Sequence, residues 1–143
     1  MQKQLKLKII TPERTVFEEM VDSVTIPTTL GEIGVFPHHI SLVAALASGD
    51  IVAKKNGEDI PMAVVGGFLE LKNNELAILA DFAEHVSDIS DEALEKAKAR
   101  AVELDRMKKN NEVVDFEHFE SELARSLTRV KIADKWRGKK YRI

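Results

Sequence analysis

The uneven distribution of proline and glycine constrains the fold of this chain more than any other feature of its sequence. All four prolines and six of the seven glycines lie before residue 68 of the 143 residues. They divide the first half into short apolar runs, whereas the second half has room for long helices. We therefore predict a β-rich unit over residues 1–88 and a helical unit over residues 89–143.

Six runs in the first half have the alternating or β-branched composition that is typical of strands. These runs are Leu5–Ile10, Ser23–Ile26, Asp50–Ala53, Ile60–Val65, Gly67–Lys72 and Leu76–Ala80. Asn56-Gly57 and Asn73-Asn74 tolerate a positive φ, so each pair is predicted to form a hairpin tip. Many short strands with frequent turns indicate a β-sandwich or a barrel.

Helical spacing replaces strand alternation after Asp88. Ser90 and Asp115 are each placed to cap the N-terminus of a helix, and Asn110-Asn111 interrupts the pattern between them. The predicted apolar stripes are Ala93, Ala97, Ala101 and Leu104 on the first helix and Phe116, Phe119, Leu123, Leu127 and Val130 on the second. Two helices with a short polar loop predict an antiparallel hairpin, and its small alanine contacts predict marginal stability in isolation.

Charge differs between the two halves. Residues 1–88 contain 7 Lys/Arg and 13 Asp/Glu, a net charge of −6, and residues 89–143 contain 14 and 11, a net charge of +3. The difference indicates either two surfaces with different partners or ordinary variation on solvated faces. Trp136 and Tyr141 among the basic C-terminal residues are compatible with nucleic-acid binding, but the acidic first half opposes it. Docking to an acidic protein loop is the preferred interpretation.

Several kinds of site are disfavoured by the sequence. The absence of cysteine excludes disulfides, thiolate metal sites and cysteine nucleophiles. No apolar run approaches the ~18 residues that a membrane span needs, and residues 1–5 do not resemble a targeting peptide. Any membrane association is therefore expected to be indirect, through a partner.

No catalytic or metal-binding constellation emerges from the remaining candidates. His38 and His39 are adjacent and would point to opposite faces of a strand, which disfavours a shared metal ion. Asp81, Glu84 and Asp88 are interpreted as a solvated linker rather than as catalytic carboxylates. The glycine pairs Gly31/Gly34 and Gly66/Gly67 lack the helix and the lysine of a phosphate-binding loop. The chain is therefore predicted not to be an enzyme and to bind no metal.

Five segments occur in an order and spacing that are specific to one family. They are Leu7–Arg14, Gly31–His39, Gly66–Glu70, Leu79–Asp81 and the helical tail from Val114 to Lys131. With these segments the whole chain resembles the bacterial type of the epsilon subunit of the F-type ATP synthase. The resemblance implies a ten-stranded β-sandwich followed by a two-helix hairpin. It also implies a non-catalytic subunit of the central stalk, held peripherally at the cytoplasmic face of the cell inner membrane.

The resemblance assigns partners to both units. It implies that the β-sandwich binds the gamma subunit and the c-ring and couples proton-driven rotation to ATP synthesis. Gly31, Glu32 and Gly34 match the family loop that faces the c-ring, and His39 matches a histidine near the gamma interface. No nucleic acid is implied.

The hairpin is implied to contact the alpha and beta subunits and to inhibit ATP hydrolysis. Arg125, Arg129 and Lys131 are the candidates for contact with an acidic loop of the beta subunits. A stand-alone β-sandwich binding module with a helical docking tail is the alternative interpretation.

Two departures from the family pattern lead to further expectations. His38 stands where the family has glycine, so this turn is expected not to need a positive φ. Some bacterial members bind ATP at the base of the hairpin, but here Ser90 and Ala93 replace the aspartate and the first arginine of that motif. The residues left to contact a nucleotide are Glu84, Ile89, Asp91 and Arg100. We therefore expect weak or absent ATP binding and no cofactor.

Overall fold

The computed structural model describes residues 3–112 and 115–140, with the backbone alone at 139 and 140. The chain divides into two compact units, Met1–His85 and Val86–Ile143. The strands of the first unit are β1 (Leu5–Ile10), β2 (Thr15–Val21), β3 (Ser23–Thr28), β4 (Gly31–Val35), β5 (Leu42–Ala45), β6 (Gly49–Lys55), β7 (Glu58–Lys72) and β8 (Glu75–His85). The second unit contains a short 3-10 turn (Val86–Asp88) and the helices α1 (Asp91–Lys109) and α2 (Phe116–Lys140).

The strands of the first unit form one hydrogen-bonded sheet that folds over itself. Its order is β2-β1-β8-β7-β6-β3-β4, with β5 paired to β7, and among the described strands only the β1/β8 pair is parallel. β2 and β6 are not neighbours in this order. Nevertheless the N–H of Asp22, after β2, donates to the carbonyl of Lys54 on β6 at 2.7 Å. The sheet therefore closes into two layers, and the predicted β-sandwich is confirmed.

The core lies between these layers and follows the expected strand alternation. Leu5, Leu7 and Ile9 of β1 are fully buried, while the residues between them are half-buried. Other large, fully buried side chains of this core are Ile26, Ile51, Met62, Leu69, Leu71, Leu76 and Ile78. Burying a side chain of this size contributes roughly 1.5–3 kcal/mol, so the alternating strands supply most of the driving force for the unit.

The described part of the sandwich has eight strands rather than the ten that the resemblance implies. Two predicted strands, Ile60–Val65 and Gly67–Lys72, are one 15-residue strand, β7, whose first part pairs with β6 and whose last part pairs with β5. Gly66 and Gly67 have φ of 62° and 105° at the change of partner. A Cβ on Gly67 would overlap the carbonyl oxygen of Leu79 and lie 2.8 Å from the Cα of Ala80.

The two hairpin tips were predicted correctly, but three strands were not. Asn56 and Gly57 have φ of 52° and 80°, and Asn73 and Asn74 have φ of 52° and 63°. Each pair forms the two-residue loop of a tight hairpin, as positive φ at both positions requires. β2, β4 and β5 were missed because they are charged, glycine-containing or only four residues long.

Both predicted helix caps are confirmed. The Oγ of Ser90 accepts from the N–H of Ala93 at 3.0 Å, and Oδ1 of Asp115 accepts from the N–H of His118 at 3.2 Å. On α1 the buried residues are Leu94, Ala97 and Leu104. No helix among the described residues is long and apolar enough to span a membrane.

The predicted apolar stripe of α2 is buried for only part of its length. Phe119 is buried, but Phe116 and Leu127 are 64% and 52% exposed. The buried residues further along α2 are Ser126, Thr128, Ile132 and Ala133. Periodicity identified an apolar face of the helix, but in this conformation α2 turns part of that face to solvent.

Candidate protein-binding surfaces

A row of apolar side chains crosses the outer face of the sandwich. Ala45 of β5 pairs with Phe68 of β7, Phe68 pairs with Leu79 of β8, and Leu79 pairs with Ile10 of β1. Val43 lies two residues before Ala45 and so on the same face. Val43, Phe68 and Leu79 are 71%, 50% and 39% exposed. These five residues, hereafter the apolar row, form a contiguous surface of the kind that marks a protein contact.

Sequence reasoning missed the apolar row because its members come from four separate strands. Phe68 and Leu79 were assigned to strands correctly, but alternation alone does not say which face of a strand is buried. Strand register was the missing information. It places Phe68 and Leu79 opposite each other, while the adjacent Leu69 and Ile78 point into the core.

The predicted c-ring residues lie on the β3–β4 hairpin, at one end of the strand order. Glu32 is exposed, and Gly31 has a φ of 121°, which only glycine adopts readily. The Oγ1 of Thr28 donates to the carbonyl of Gly31 at 2.5 Å and accepts from the N–H of Leu30 at 3.3 Å. This turn holds Leu30 at 98% exposure. Gly31, Glu32 and Gly34 therefore share one projecting hairpin.

The loop after β4, residues Phe36–Ser41, carries the predicted gamma-contact residue His39. The expectation that His38 would not need a positive φ is wrong, because its φ is 65°. The N–H of His38 donates to Oδ1 of Asn74 at 2.9 Å, which holds the histidine in the glycine-like conformation. A left-handed backbone costs a non-glycine residue about 1–2 kcal/mol, and contacts to the loop must offset that cost.

His39 is half-buried and lies in the loop that follows β4, outside the hairpin that carries Gly31 and Gly34. Its Nδ1 is 2.8 Å from the carbonyl oxygen of Ile40, and its N–H donates to the carbonyl of Phe36 at 3.3 Å. Phe36 and Ile40, which flank it, are 65% and 80% exposed. Among the described residues no group of three or more His, Cys, Asp or Glu side chains could hold a metal ion.

The three basic candidates on α2 do not form one cluster. Arg125 and Arg129 are one helical turn apart and both are half-buried. Lys131 is exposed and lies on a different side of the helix, since two further residues rotate the position by about 200°. The structure therefore groups the two arginines and separates the lysine from them. Lys139, Tyr141 and Arg142 of the basic C-terminus lie outside the residues whose side chains the structure describes.

The four candidate nucleotide-binding residues are divided between the units. Glu84 belongs to β8 of the first unit, whereas Ile89, Asp91 and Arg100 belong to the second. Ile89 is buried in a small apolar cluster with Leu94 and Ala133. Its side chain serves the packing of the hairpin.

Two charged members of that set, Asp91 and Arg100, form ion pairs between the helices. Nε of Arg100 lies 2.6 Å from Oε1 of Glu122, and a second nitrogen lies 3.2 Å from Oε2, so the pair is bidentate. Nη1 of Arg100 is 3.0 Å from Glu103, and Asp91 is 2.6 Å from Nη2 of Arg137. The hydrogen bond with Glu122 raises the pKa of Arg100, and the same bond lowers the pKa of Glu122. Both groups that could contact a nucleotide thus have protein partners.

A small β-sandwich with an exposed apolar row, joined to a two-helix hairpin, defines a class of protein-binding subunit. The model of the family described as "ATP synthase, Delta/Epsilon chain, beta-sandwich domain" matches residues 4–86. The chain belongs to this family, as one of its bacterial-type epsilon chains, which are non-catalytic subunits of the ATP synthase. The family resemblance predicted from the sequence is confirmed.

Similar curated proteins support the assignment over most of the chain. The "ATP synthase epsilon chain" of Desulforamulus reducens is 37% identical over 134 residues, covering 94% of this chain and 100% of the relative. That of Nitratidesulfovibrio vulgaris is 39% identical over 132 residues, covering 92% and 97%.

A solved structure has the same fold at low sequence identity. A chain in the cryo-EM structure of the Euglena gracilis mitochondrial ATP synthase, described as OSCP/F1/c-ring, is similar with a TM-score of 0.64 and 22% identity. The match covers 99% of this chain and 84% of that chain.

Proposed function

We propose that this chain is a central-stalk subunit that couples proton-driven rotation to ATP synthesis, and that its hairpin inhibits ATP hydrolysis. Its partners would be the gamma subunit, the c-ring and the alpha and beta subunits. It would lie peripherally at the cytoplasmic face of the cell inner membrane, held there by the complex. The observation that carries the proposal is the apolar row on a sandwich of this family.

The apolar row is proposed as the docking surface for the gamma subunit. Phe68 lies at its centre, is 50% exposed and does not belong to the core of the sandwich. Large aromatic side chains that remain half-exposed at the centre of an apolar patch are typical anchors of protein interfaces. A subunit that turns with the rotor must stay attached to it, and burial of the apolar row would supply free energy for that attachment.

The β3–β4 hairpin is proposed as the contact with the c-ring. Leu30 projects fully into solvent at its tip, with Glu32 exposed two residues later. At such a contact Leu30 would supply a hydrophobic anchor, and Glu32 would supply a charged group. This assignment of Gly31, Glu32 and Gly34 remains a proposal.

The exposed apolar residues of α2 support the inhibitory role. Phe116 and Leu127 are eleven residues apart, which is close to three full helical turns, so they share one face. In this conformation α2 buries Ser126 and Thr128 and exposes Leu127. A helix that buries hydroxyl groups and leaves a leucine exposed is suited to a second conformation in which a partner covers its apolar face. We propose that this second conformation enters the catalytic head.

The basic residues of α2 would strengthen that second conformation. Arg125 and Arg129 form one basic patch for the acidic loop of the beta subunits, and Lys131 would contact a different part of the partner because it lies on another side of the helix. Single surface pairs contribute about 0–1 kcal/mol, so the contacts must act together.

The inhibitory role is tested by ATP hydrolysis in the reconstituted complex. Deletion of residues 89–143 is expected to raise hydrolysis severalfold. The double substitution F116S/L127S should raise it as well, while changing the free energy of unfolding by only about 0.5 kcal/mol, since both side chains are exposed. Val102→Ser is the matched control, because Val102 is 72% exposed on α1. Unchanged hydrolysis in the deletion variant would leave coupling as the role of the chain and would refute inhibition.

A stand-alone β-sandwich binding module is the second candidate function, since the apolar row fits any apolar partner. Pull-down from bacterial membranes with the tagged chain separates the two. Recovery of alpha, beta and gamma subunits supports the stalk role, and their absence would favour the module.

A further inference from the structure

We propose that Asn74 is the positioning residue for the Phe36–Ser41 loop and so determines how tightly the sandwich binds its partner. The inference rests on the proposed gamma-docking function, because the loop carries His39 and leads directly into β5, where Val43 begins the apolar row. Asn74 itself lies at the tip of the β7–β8 hairpin, 36 residues from His38. It would act without contacting the partner.

Asn74 joins three segments of the first unit. Its Oδ1 accepts from the N–H of His38 at 2.9 Å, and its Nδ2 donates to the carbonyl of Gln4 at 2.9 Å. Its own carbonyl accepts from the N–H of Lys6 at 3.1 Å. The Asn74 side chain thereby links the loop to the start of β1 and to the β7–β8 hairpin.

The contact matters because the loop is in a conformation that its own sequence does not favour. His38 has a φ of 65°, although a β-carbon disfavours this region of backbone space. The Asn74 amide accepts the N–H of this same residue. Loss of that acceptor would favour relaxation of His38 toward negative φ, which would change the course of the loop between Phe36 and Ile40.

The side chains that would move with the loop are exposed and do not pack into the core. Phe36 and Ile40 are 65% and 80% exposed, so they contribute little to the stability of the isolated chain. Their defined position is useful only to a partner, since a preformed loop loses less conformational entropy on binding. Asn74 would therefore affect affinity more than it affects folding.

The test uses the full chain and purified gamma subunit, with affinity measured by calorimetry. Asn74→Ala is expected to weaken binding roughly tenfold, the size of one lost hydrogen bond. Asn74→Asp keeps an acceptor for His38 and should bind within about twofold of the wild-type affinity by the same argument. Asn73→Ala is the matched control, because it places alanine at the neighbouring position of the same turn, where φ is also positive (52°).

A second-site substitution separates positioning from general destabilisation. Glycine at 38 removes the cost of the positive φ but adds backbone freedom, so N74A/H38G is expected to recover part of the lost affinity, which a merely destabilised sheet would not do. Hydrogen exchange of the His38 amide supplies a readout without the partner: it should accelerate in Asn74→Ala and not in Asn73→Ala. A thermal melt confirms that each variant is folded.

The outcomes distinguish this inference from the proposed function. If wild-type chain does not bind gamma, the docking function fails, while faster exchange at His38 in Asn74→Ala would still show that Asn74 holds the loop. If wild-type chain binds and Asn74→Ala binds equally well, or if the His38 amide exchanges no faster in Asn74→Ala than in Asn73→Ala, the positioning role is refuted.

Discussion

The residues with positive φ include some that local sequence predicts correctly and one, His38, that it does not. Asn56-Gly57 and Asn73-Asn74 were predicted as turn tips because asparagine and glycine tolerate the left-handed region, and the structure confirms both. His38 adopts the same region, and the sequence indicated the opposite. Its N–H donates to an acceptor 36 residues away, and no local pattern contains such a contact.

Gly67 is a position at which the backbone geometry strongly disfavours any other residue. Alanine there would combine a positive φ of 105° with overlap against the carbonyl of Leu79 in β8. We expect Gly67→Ala to lower the free energy of unfolding by roughly 2–4 kcal/mol, from strain and overpacking together. Urea unfolding followed by circular dichroism measures this.

Gly34→Ala is the control for that substitution. Gly34 lies in β4, and an added Cβ would meet only the ring of Phe36 at 3.8 Å, an ordinary contact. A change of at most about 0.5 kcal/mol is expected there. Equal destabilisation by the two substitutions would show that the path of β7 does not depend on glycine.

At the scale of elements, the sequence identified both helices and their caps but not the face that α2 buries. Periodicity reports which side of a helix is apolar, and Phe116 and Leu127 are on that side. It does not report whether the side is covered, and both residues are exposed. In the same way, β7 was predicted as two strands because Gly66-Gly67 has the composition of a break, whereas the pairing with β8 continues through it.

Because ion pairs join α1 and α2, we expect the stability of the hairpin to depend on pH and on salt concentration. Arg100 lowers the pKa of Glu122, so this pair stabilises the folded hairpin at pH values above the ordinary carboxyl range. The stabilisation is lost as pH falls through the lowered pKa of Glu122, since protonation then removes the charge. Lys98–Asp134 and Asp91–Arg137 are exposed pairs that would weaken with added salt.

Glu122→Gln isolates the contribution of the bidentate pair. We expect it to accelerate amide exchange in α1 by roughly two- to fivefold at pH 7, as a partly exposed ion pair allows, and to remove the pH dependence below pH ~4. Glu92→Gln is the control, because Glu92 pairs with Lys96 within α1 at 3.1 Å and joins no second helix. Identical exchange in wild type and Glu122→Gln would show that apolar packing alone holds the hairpin.

At the scale of the whole molecule, the family resemblance supplied what residue patterns could not. Composition predicted a β-rich unit and a helical unit, and both are present. Closure of the sheet depends on contacts such as Asp22 with Lys54, between strands that are distant in the sheet order, and these are not visible in any window of sequence. The apolar row depends on the register of four strands for the same reason.

We propose that the apolar row attaches this subunit to the rotor and so couples proton-driven rotation to ATP synthesis. The most direct measurement is ATP-driven proton pumping by membrane vesicles whose ATP synthase lacks the subunit and is supplemented with purified chain. Wild-type chain and Met20→Glu, an exposed apolar position on β2 outside the row, should both restore pumping. Phe68→Glu should fail to restore it at the same concentration while remaining folded. Restoration of pumping by Phe68→Glu, or no restoration by wild-type chain, would contradict attachment through the apolar row.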